Sequence, residues 1–273
     1  MNVSRVGRDG TLALDFERRG GVSVLAQCRF RLPVQVLAPV ALDDAAAVVS
    51  MLNPTGGLVG GDRLCIDVRV GAGAHACLTT PSATKVYRTA GEVAVQEARL
   101  RVEAGATMEW VPDHTIPFAG SAFRQSIVVD LGPGARLILV DAFAAGRVAR
   151  DECWRFHLLD SALHVRDAAG WLLRDRFVLG TGAWDRLGFT EGAPYFATMV
   201  VVGGDAEPTR VALAKATAVR TESRAAVGVT RRGAILVRCV APSAPALTEA
   251  IDLLWGTARR ELLGLAPAAL RKA

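Results

Sequence analysis

Val70-Gly-Ala-Gly73-Ala74-His-Ala-Cys-Leu-Thr-Thr80 is one of three copies of a single pattern in this 273-residue chain. The others are Val102-Glu-Ala-Gly105-Ala106-Thr-Met-Glu-Trp-Val111 and Leu131-Gly-Pro-Gly134-Ala135-Arg-Leu-Ile-Leu-Val140. Each is a β-rich run, a Gly-Ala turn and a second β-rich run. The turn glycines fall 32 and 29 residues apart. Self-similarity at a period of roughly 20 to 50 residues marks stacked coils or propeller blades. The expected fold is therefore mainly β, with β-helix-like stacked strands, the three Gly-Ala turns on one side and the polar loops brought together.

Strand periodicity extends outward from the repeats. Leu64-Cys-Ile-Asp-Val-Arg-Val70, Ala98-Arg-Leu-Arg-Val102 and Ser126-Ile-Val-Val-Asp130 alternate and feed the three copies. Upstream, Thr11–Phe16 and Val22–Phe30 flank the turn Arg18-Arg-Gly-Gly21 and predict a hairpin. Downstream, Leu163–Arg166 and Trp171–Phe177 flank the turn Ala168-Ala-Gly170.

Two segments break the pattern and predict two helices in the C-terminal part. Pro208 to Val219 has weak helical spacing. In Ala246 to Leu263, an apolar stripe of Leu247, Ile251, Leu254, Trp255, Ala258 and Leu262 follows helical spacing. Ser243 is the expected N-cap, Gly264 the stop, and Pro267 lies just beyond. The stripe has two readings. One covers the end of the β core; the other offers Leu254 and Trp255 to a partner. With no Gly/Ser tract, Pro tract or charge block to mark a linker, the chain reads as one domain over 1–273. Its β body spans about 10–200 and a mixed α/β end spans about 201–273.

Composition narrows the function. Hydrophobic residues make up 51%, far too many for a disordered chain, and aromatics only 6%, so the interior is filled by Ala, Val and Leu. Thirty-two Lys+Arg against 27 Asp+Glu give a net charge of +5, interspersed without a basic run. That argues against a nucleic-acid surface. It suits an acidic protein partner. Met1–Asp9 is charged with no apolar stretch behind it, and no run is long enough to span a bilayer, so neither a signal peptide nor a membrane span is expected. Five scattered cysteines without a CxxC suit reduced thiols in the cytoplasm.

Four segments concentrate unusual residues. Leu52-Asn-Pro-Thr-Gly-Gly-Leu-Val-Gly-Gly-Asp62 is glycine-rich, yet it fits neither phosphate-binding spacing. Its Asp62 either caps a turn or points into a shared cavity. Thr80-Pro-Ser-Ala-Thr-Lys-Val-Tyr-Arg88 contains Ser82 and Lys85 at the Ser-x-x-Lys spacing of acylating enzymes, without the companion motifs. Asp113-His114 holds the only histidine next to a carboxylate. The four histidines lack the short spacing of a preformed zinc site. Asp141 to Glu152 is rich in charge and reads either as an ion-pair network at the sheet end or as a functional cluster.

Taken together, Leu52 to Arg63, Thr80 to Arg88, Pro117-Phe-Ala-Gly120 and Asp141-Ala-Phe-Ala-Ala-Gly-Arg147 resemble the urease accessory protein UreD (UreH) family. Leu236-Val-Arg-Cys-Val-Ala-Pro-Ser243 and Trp255-Gly-Thr-Ala-Arg-Arg-Glu-Leu-Leu-Gly264 are similar to it too. The resemblance runs in order from about residue 10 to the C-terminus. It implies a non-enzymatic metallochaperone scaffold that binds apo-urease, recruits UreF and through it the GTPase UreG, and helps pass nickel(II) into urease. No tightly bound cofactor is implied, only nickel in transit. The family's polar positions map onto Asp62, Ser82, Asp141, Arg147 and Asp175. At the last of these, Arg174-Asp175-Arg176 stands where the family often has a glutamate, which shortens the carboxylate's reach. Nickel sits high in the divalent affinity order, so a conduit should offer sparse carboxylates rather than a His/Cys cage. Asp62, Asp141 and Asp175 are the expected stepping sites. Ser82, Lys85 and Arg147 are the expected supporting groups, with Arg147 paired to Asp141. The alternatives are a Ser/Lys hydrolase and a β-solenoid docking platform without metal transfer.

Overall fold

A computed structural model of the chain describes residues 8–41, 46–182, 184, 188–219, 222–268 and 270. The charged start is thus described only from Arg8 on. The chain is mainly β, a solenoid of about four turns with two helices in its C-terminal part. Each of the three repeats lays one strand in a seven-stranded sheet, passes a Gly-Ala turn, and lays the next strand in a larger facing sheet. The smaller sheet stacks Arg63–Val70, Ala94–Val102, Ala122–Leu131 and Leu158–Asp167 in parallel. The larger stacks Ala47–Leu52, His75–Thr79, Thr107–Val111 and Arg136–Ala144, also in parallel. The predicted hairpin Asp9–Arg19/Val22–Arg31 closes one edge of the smaller sheet. Gly170–Leu179 closes the other.

The Gly-Ala turns stack on one side, as their spacing predicts. Gly73, Gly105 and Gly134 have φ of 66°, 63° and 67°, the left-handed region that glycine enters without strain. Gly73 N donates to Ala104 O at 3.0 Å, and Gly105 N to Pro133 O at 2.9 Å. One coil's turn therefore supplies the acceptor for the turn below it.

Period-two alternation sets the two faces. Leu64, Ile66, Val68 and Val70 are buried toward the facing sheet, while Arg63, Cys65, Asp67 and Arg69 point away. The larger sheet is covered on both sides. Its inward residues join the inter-sheet core. Its outward residues, among them Ile138, Val140 and Val237, join a second core beneath the helices.

Helix α1 spans Ala206–Thr217, two residues earlier than the spacing predicts, because Asp205 caps it by accepting from Glu207 N at 3.1 Å. Helix α2 spans Ala244–Ala258. Ser243 is its N-cap, accepting from Ala246 N at 3.3 Å. The predicted helix to Leu263 ends instead in a π turn, Arg259–Leu263, stopped by left-handed Gly264. A Cβ on Gly256 would lie 3.0 Å from Pro267 Cβ, so the glycine admits the chain that folds back over the helix.

Burial corrects the expectation that Leu254 and Trp255 meet a partner. They are only 4% and 1% exposed, facing the sheet. Trp255 Nε1 donates to Glu109 Oε2 at 2.6 Å, and His75 Nε2 lies 2.7 Å from Glu109 Oε1. Arg259, also fully buried, lies 3.6 Å from that oxygen. A charged group was therefore taken out of water to fasten α2 to the sheet. Removing one partner of such a pair strands the other charge. Glu109→Ala is expected to lower unfolding free energy by about 3–5 kcal/mol. Trp255→Phe, which removes one hydrogen bond, should lower it by about 1–3 kcal/mol. Urea titration followed by tryptophan fluorescence checks both, and a Glu109→Ala loss below ~1 kcal/mol would refute the anchor.

Candidate functional site

Among the described residues, the inward series of the stacked parallel strands is apolar except at one level. On Ala122–Leu131 the inward series is Phe123, Gln125, Ile127 and Val129; on Leu158–Asp167 it is Leu159, Ser161, Leu163 and Val165. Parallel register places Gln96 beside Gln125, and Gln125 beside Ser161. On the facing sheet the inward series Leu137, Leu139, Asp141, Phe143 is broken at Asp141. Antiparallel register sets Asp141 beside Thr198, and Thr198 beside Arg238.

These side chains form one buried polar layer. Gln96 Nε2 donates to Gln125 Oε1 at 3.2 Å. Gln125 Nε2 donates to Asp141 Oδ1 at 2.8 Å, and Ser161 Oγ to Asp141 Oδ2 at 3.0 Å. At the open edge Arg238 donates to Thr198 Oγ1 at 2.5 Å and to Asp175 Oδ1 at 2.7 Å. Asp175 enters this edge from the neighbouring level, since Ser161 itself faces Phe177.

Burial dominates the electrostatics of Asp141. It pushes the carboxyl up to about 6, against the opposing hydrogen bonds from Gln125 and Ser161; Asp175 adds to the rise and Arg238 reduces it. A buried carboxylate whose pKa is moved by desolvation and by named charges marks a candidate site.

Two hollows border the layer. A cavity of about 60 Å³ lies between the sheets, with Asp141, Gln125, Gln96, Thr84 and Asp113 in its wall. That exceeds the ~10–15 Å³ needed to admit one water. A groove of about 360 Å³ runs along Asp175, Phe177, Thr198 and Arg238. Asp141 stands between them.

The other residues singled out in the sequence lie elsewhere. Asp62 is buried, and its Oδ2 accepts from Val59 N at 2.9 Å, so it caps the glycine-rich turn and lies outside the cavity wall. Burial raises its pKa. Ser82 sits exposed in a bend, and Lys85 is exposed in the short strand Thr84–Val86, not at the helix start that the acylating motif requires. Arg147 does not pair with Asp141. It lies beyond the end of that strand in a two-residue ladder opposite Glu152, and its Nε donates to Glu152 Oε2 at 2.7 Å. Its guanidinium covers the Phe118 ring at 4.4 Å. Among the described residues no cluster of three or more His, Cys, Asp or Glu could hold a metal ion. No described helix is long and apolar enough to cross a membrane.

Gln96, Gln125, Ser161, Thr198 and Arg238 escaped the sequence reading. Their signal is a polar residue at an inward position of an alternating apolar series, visible only once the strands are in register.

A sequence model of the family described as UreD urease accessory protein matches residues 8–273. The chain is 36% identical to a urease accessory protein UreD of Deinococcus radiodurans, over 100% of this chain and 98% of that one. It is 35% identical to one of Alkalilimnicola ehrlichii, over 96% and 89%. It is 32% identical to one of Pseudomonas putida, over 95% and 91%.

The raised carboxyl of Asp141 has a pH signature. Its folded value of about 6 exceeds the ordinary 3.8, so ionising it weakens the fold. That cost is full above the folded value and is relieved as pH falls toward the unfolded one. It amounts to about 3 kcal/mol at pH 8 and about half of that at pH 5. Asp141→Asn should therefore gain stability relative to wild type at pH 8, and the gain should shrink by about half at pH 5. Taking the difference between the two proteins cancels other titrating groups such as His164, whose pKa burial lowers. A pH-independent difference in urea titrations would refute the assignment.

Proposed function

The chain belongs to the UreD urease accessory protein family, and we propose that within urease maturation it passes nickel(II) along the Asp141 layer. The proposed partners are apo-urease, UreF and, through UreF, UreG. The observation that carries this reading is a buried ionisable carboxylate, held by neutral donors between the inter-sheet cavity and the groove along Asp175 and Arg238.

The chemistry suits a cargo that must leave again. Nickel(II) binds imidazole and thiolate tightly, so a His/Cys cage would retain it. Asp141 and Asp175 instead offer oxygen ligands, with the hydroxyls of Ser161 and Thr198 adding neutral oxygens that bind weakly. Arg238, already paired with Asp175, competes with a cation for that carboxylate and keeps its hold loose. Asp62, committed to its turn, serves the fold that presents this layer rather than the passage itself.

A docking platform without metal traffic is the second reading, supported by the large covered sheet and its helices. The Ser82–Lys85 hydrolase lacks the helix-start geometry that its chemistry uses. The conduit and the platform separate in one experiment, nickel content of recovered urease against recovery of the assembled complex. Asp141→Asn and Asp175→Asn are expected to assemble normally with UreF and apo-urease while nickel per urease falls roughly tenfold. Normal nickel in both variants would leave the platform reading. Parallel loss of complex and nickel would make the layer architectural.

A further inference from the structure

The Asp141 cavity has a second end. Away from the Asp175 groove, its wall is formed by Thr80, Thr84, Pro112, Asp113 and Thr115. Pro112 and Asp113 also line a separate groove of about 260 Å³ on the helix side, bounded by His114, Thr248, Ile251, Asp252 and Leu270. The same two residues are thus the partition between the interior and the surface beside α2.

The corner is a built one. It joins the strand Thr107–Val111 to the short strand Thr115–Pro117, where Pro112 withholds a backbone donor from the ladder. Asp113 N donates to Thr80 Oγ1 at 2.8 Å, tying the corner to the coil below. Asp113 Oδ1 receives His114 N at 2.8 Å and lies 2.8 Å from His114 Nδ1. The imidazole is held in turn by the edge of Tyr195, 5.6 Å between ring centroids. A carboxylate and an imidazole are therefore locked together in the one wall that separates the two spaces. The side chain of His114 is only 10% exposed. The Asp113 carboxylate, oriented by that contact, offers an oxygen ligand to a divalent cation, and one imidazole beside it falls far short of a retaining His/Cys cage.

We infer that the Pro112–His114 corner is the second mouth of the Asp141 cavity, where Asp113, positioned by His114, takes the cation from the interior and releases it into the groove beside α2. This rests on the conduit reading of Asp141. It assigns a direction to the passage, from the Arg238–Asp175 edge through Asp141 to Asp113, and makes the width of the α2 groove a control on release.

Four forms of the full chain, assembled with UreF and apo-urease, test it: wild type, Asp141→Asn, Asp113→Asn and Thr248→Trp, the last filling the groove from α2. Nickel per recovered urease and complex recovery are measured for each. A second readout is metal-catalysed oxidation with Fe(II) and peroxide, mapped by peptide mass spectrometry. The expected result is nickel lowered roughly tenfold in all three variants with assembly intact. His114 should be oxidised in wild type and spared in Asp113→Asn. If Asp141→Asn fails while Asp113→Asn delivers like wild type, the conduit stands and this mouth is refuted. If Asp141→Asn itself delivers normally, the conduit reading falls and the mouth with it. Should Thr248→Trp disturb assembly, Asp113→Asn and the oxidation of His114 decide, and an unchanged pattern in both overturns the proposal.

Discussion

In-register parallel stacking is the constraint on which the rest of this molecule depends. Each coil places its residues beside their counterparts in the next, so a level that is apolar in one coil must be apolar in all or hold a polar layer. Leu64, Gln96, Gln125 and Ser161 share one level of the smaller sheet. The polar run ends at Leu64 on one side and at Phe177 on the other, which confines it beneath Asp141. Phe123 and Leu159 on one side, and Ile127, Val129 and Leu163 on the other, close the core. A carboxylate in that setting costs stability, and the hydrogen bonds from Gln125 and Ser161 offset only part of the cost.

The larger sheet links this layer to the helices. The strand Arg136–Ala144 turns Leu137, Leu139, Asp141 and Phe143 inward, and Ile138, Val140 and Ala142 outward into the core under α2. The helix therefore grips the back of the strand that carries the site. Glu109 does the same one strand away, with Trp110 facing the inner core and Glu109 itself held by Trp255. Loss of α2 would loosen the sheet behind Asp141 before it exposed any partner surface.

Local signals made the framework legible. Repeated Gly-Ala turns, strict alternation from Leu64 to Val70, the Ser243 cap and the Gly264 stop each act within a few residues, and each predicts what is seen. What escaped depends on contacts between distant segments. The partner of Arg147 is chosen by a two-residue ladder to Glu152, and the burial of Trp255 by Glu109, 146 residues away in sequence. Asp141 and Asp175 were picked out by resemblance, but their connection through Thr198 and Arg238 required the antiparallel register of three strands. Asp62 looked equivalent to them in sequence. Its side chain, however, folds back on the four-residue turn from Val59 to Asp62, a local competition that strand-end position alone does not reveal.

The central claim is that a divalent cation enters the protein and rests at a buried carboxylate. Anomalous diffraction at the nickel edge, from crystals of the assembled complex soaked in nickel(II), tests it most directly. The account predicts density inside the solenoid against Asp141, within reach of Gln125 and Ser161, and its disappearance in Asp141→Asn. Nickel bound only at surface groups such as the exposed His157, with the interior of the Asn and wild-type proteins alike, would contradict it.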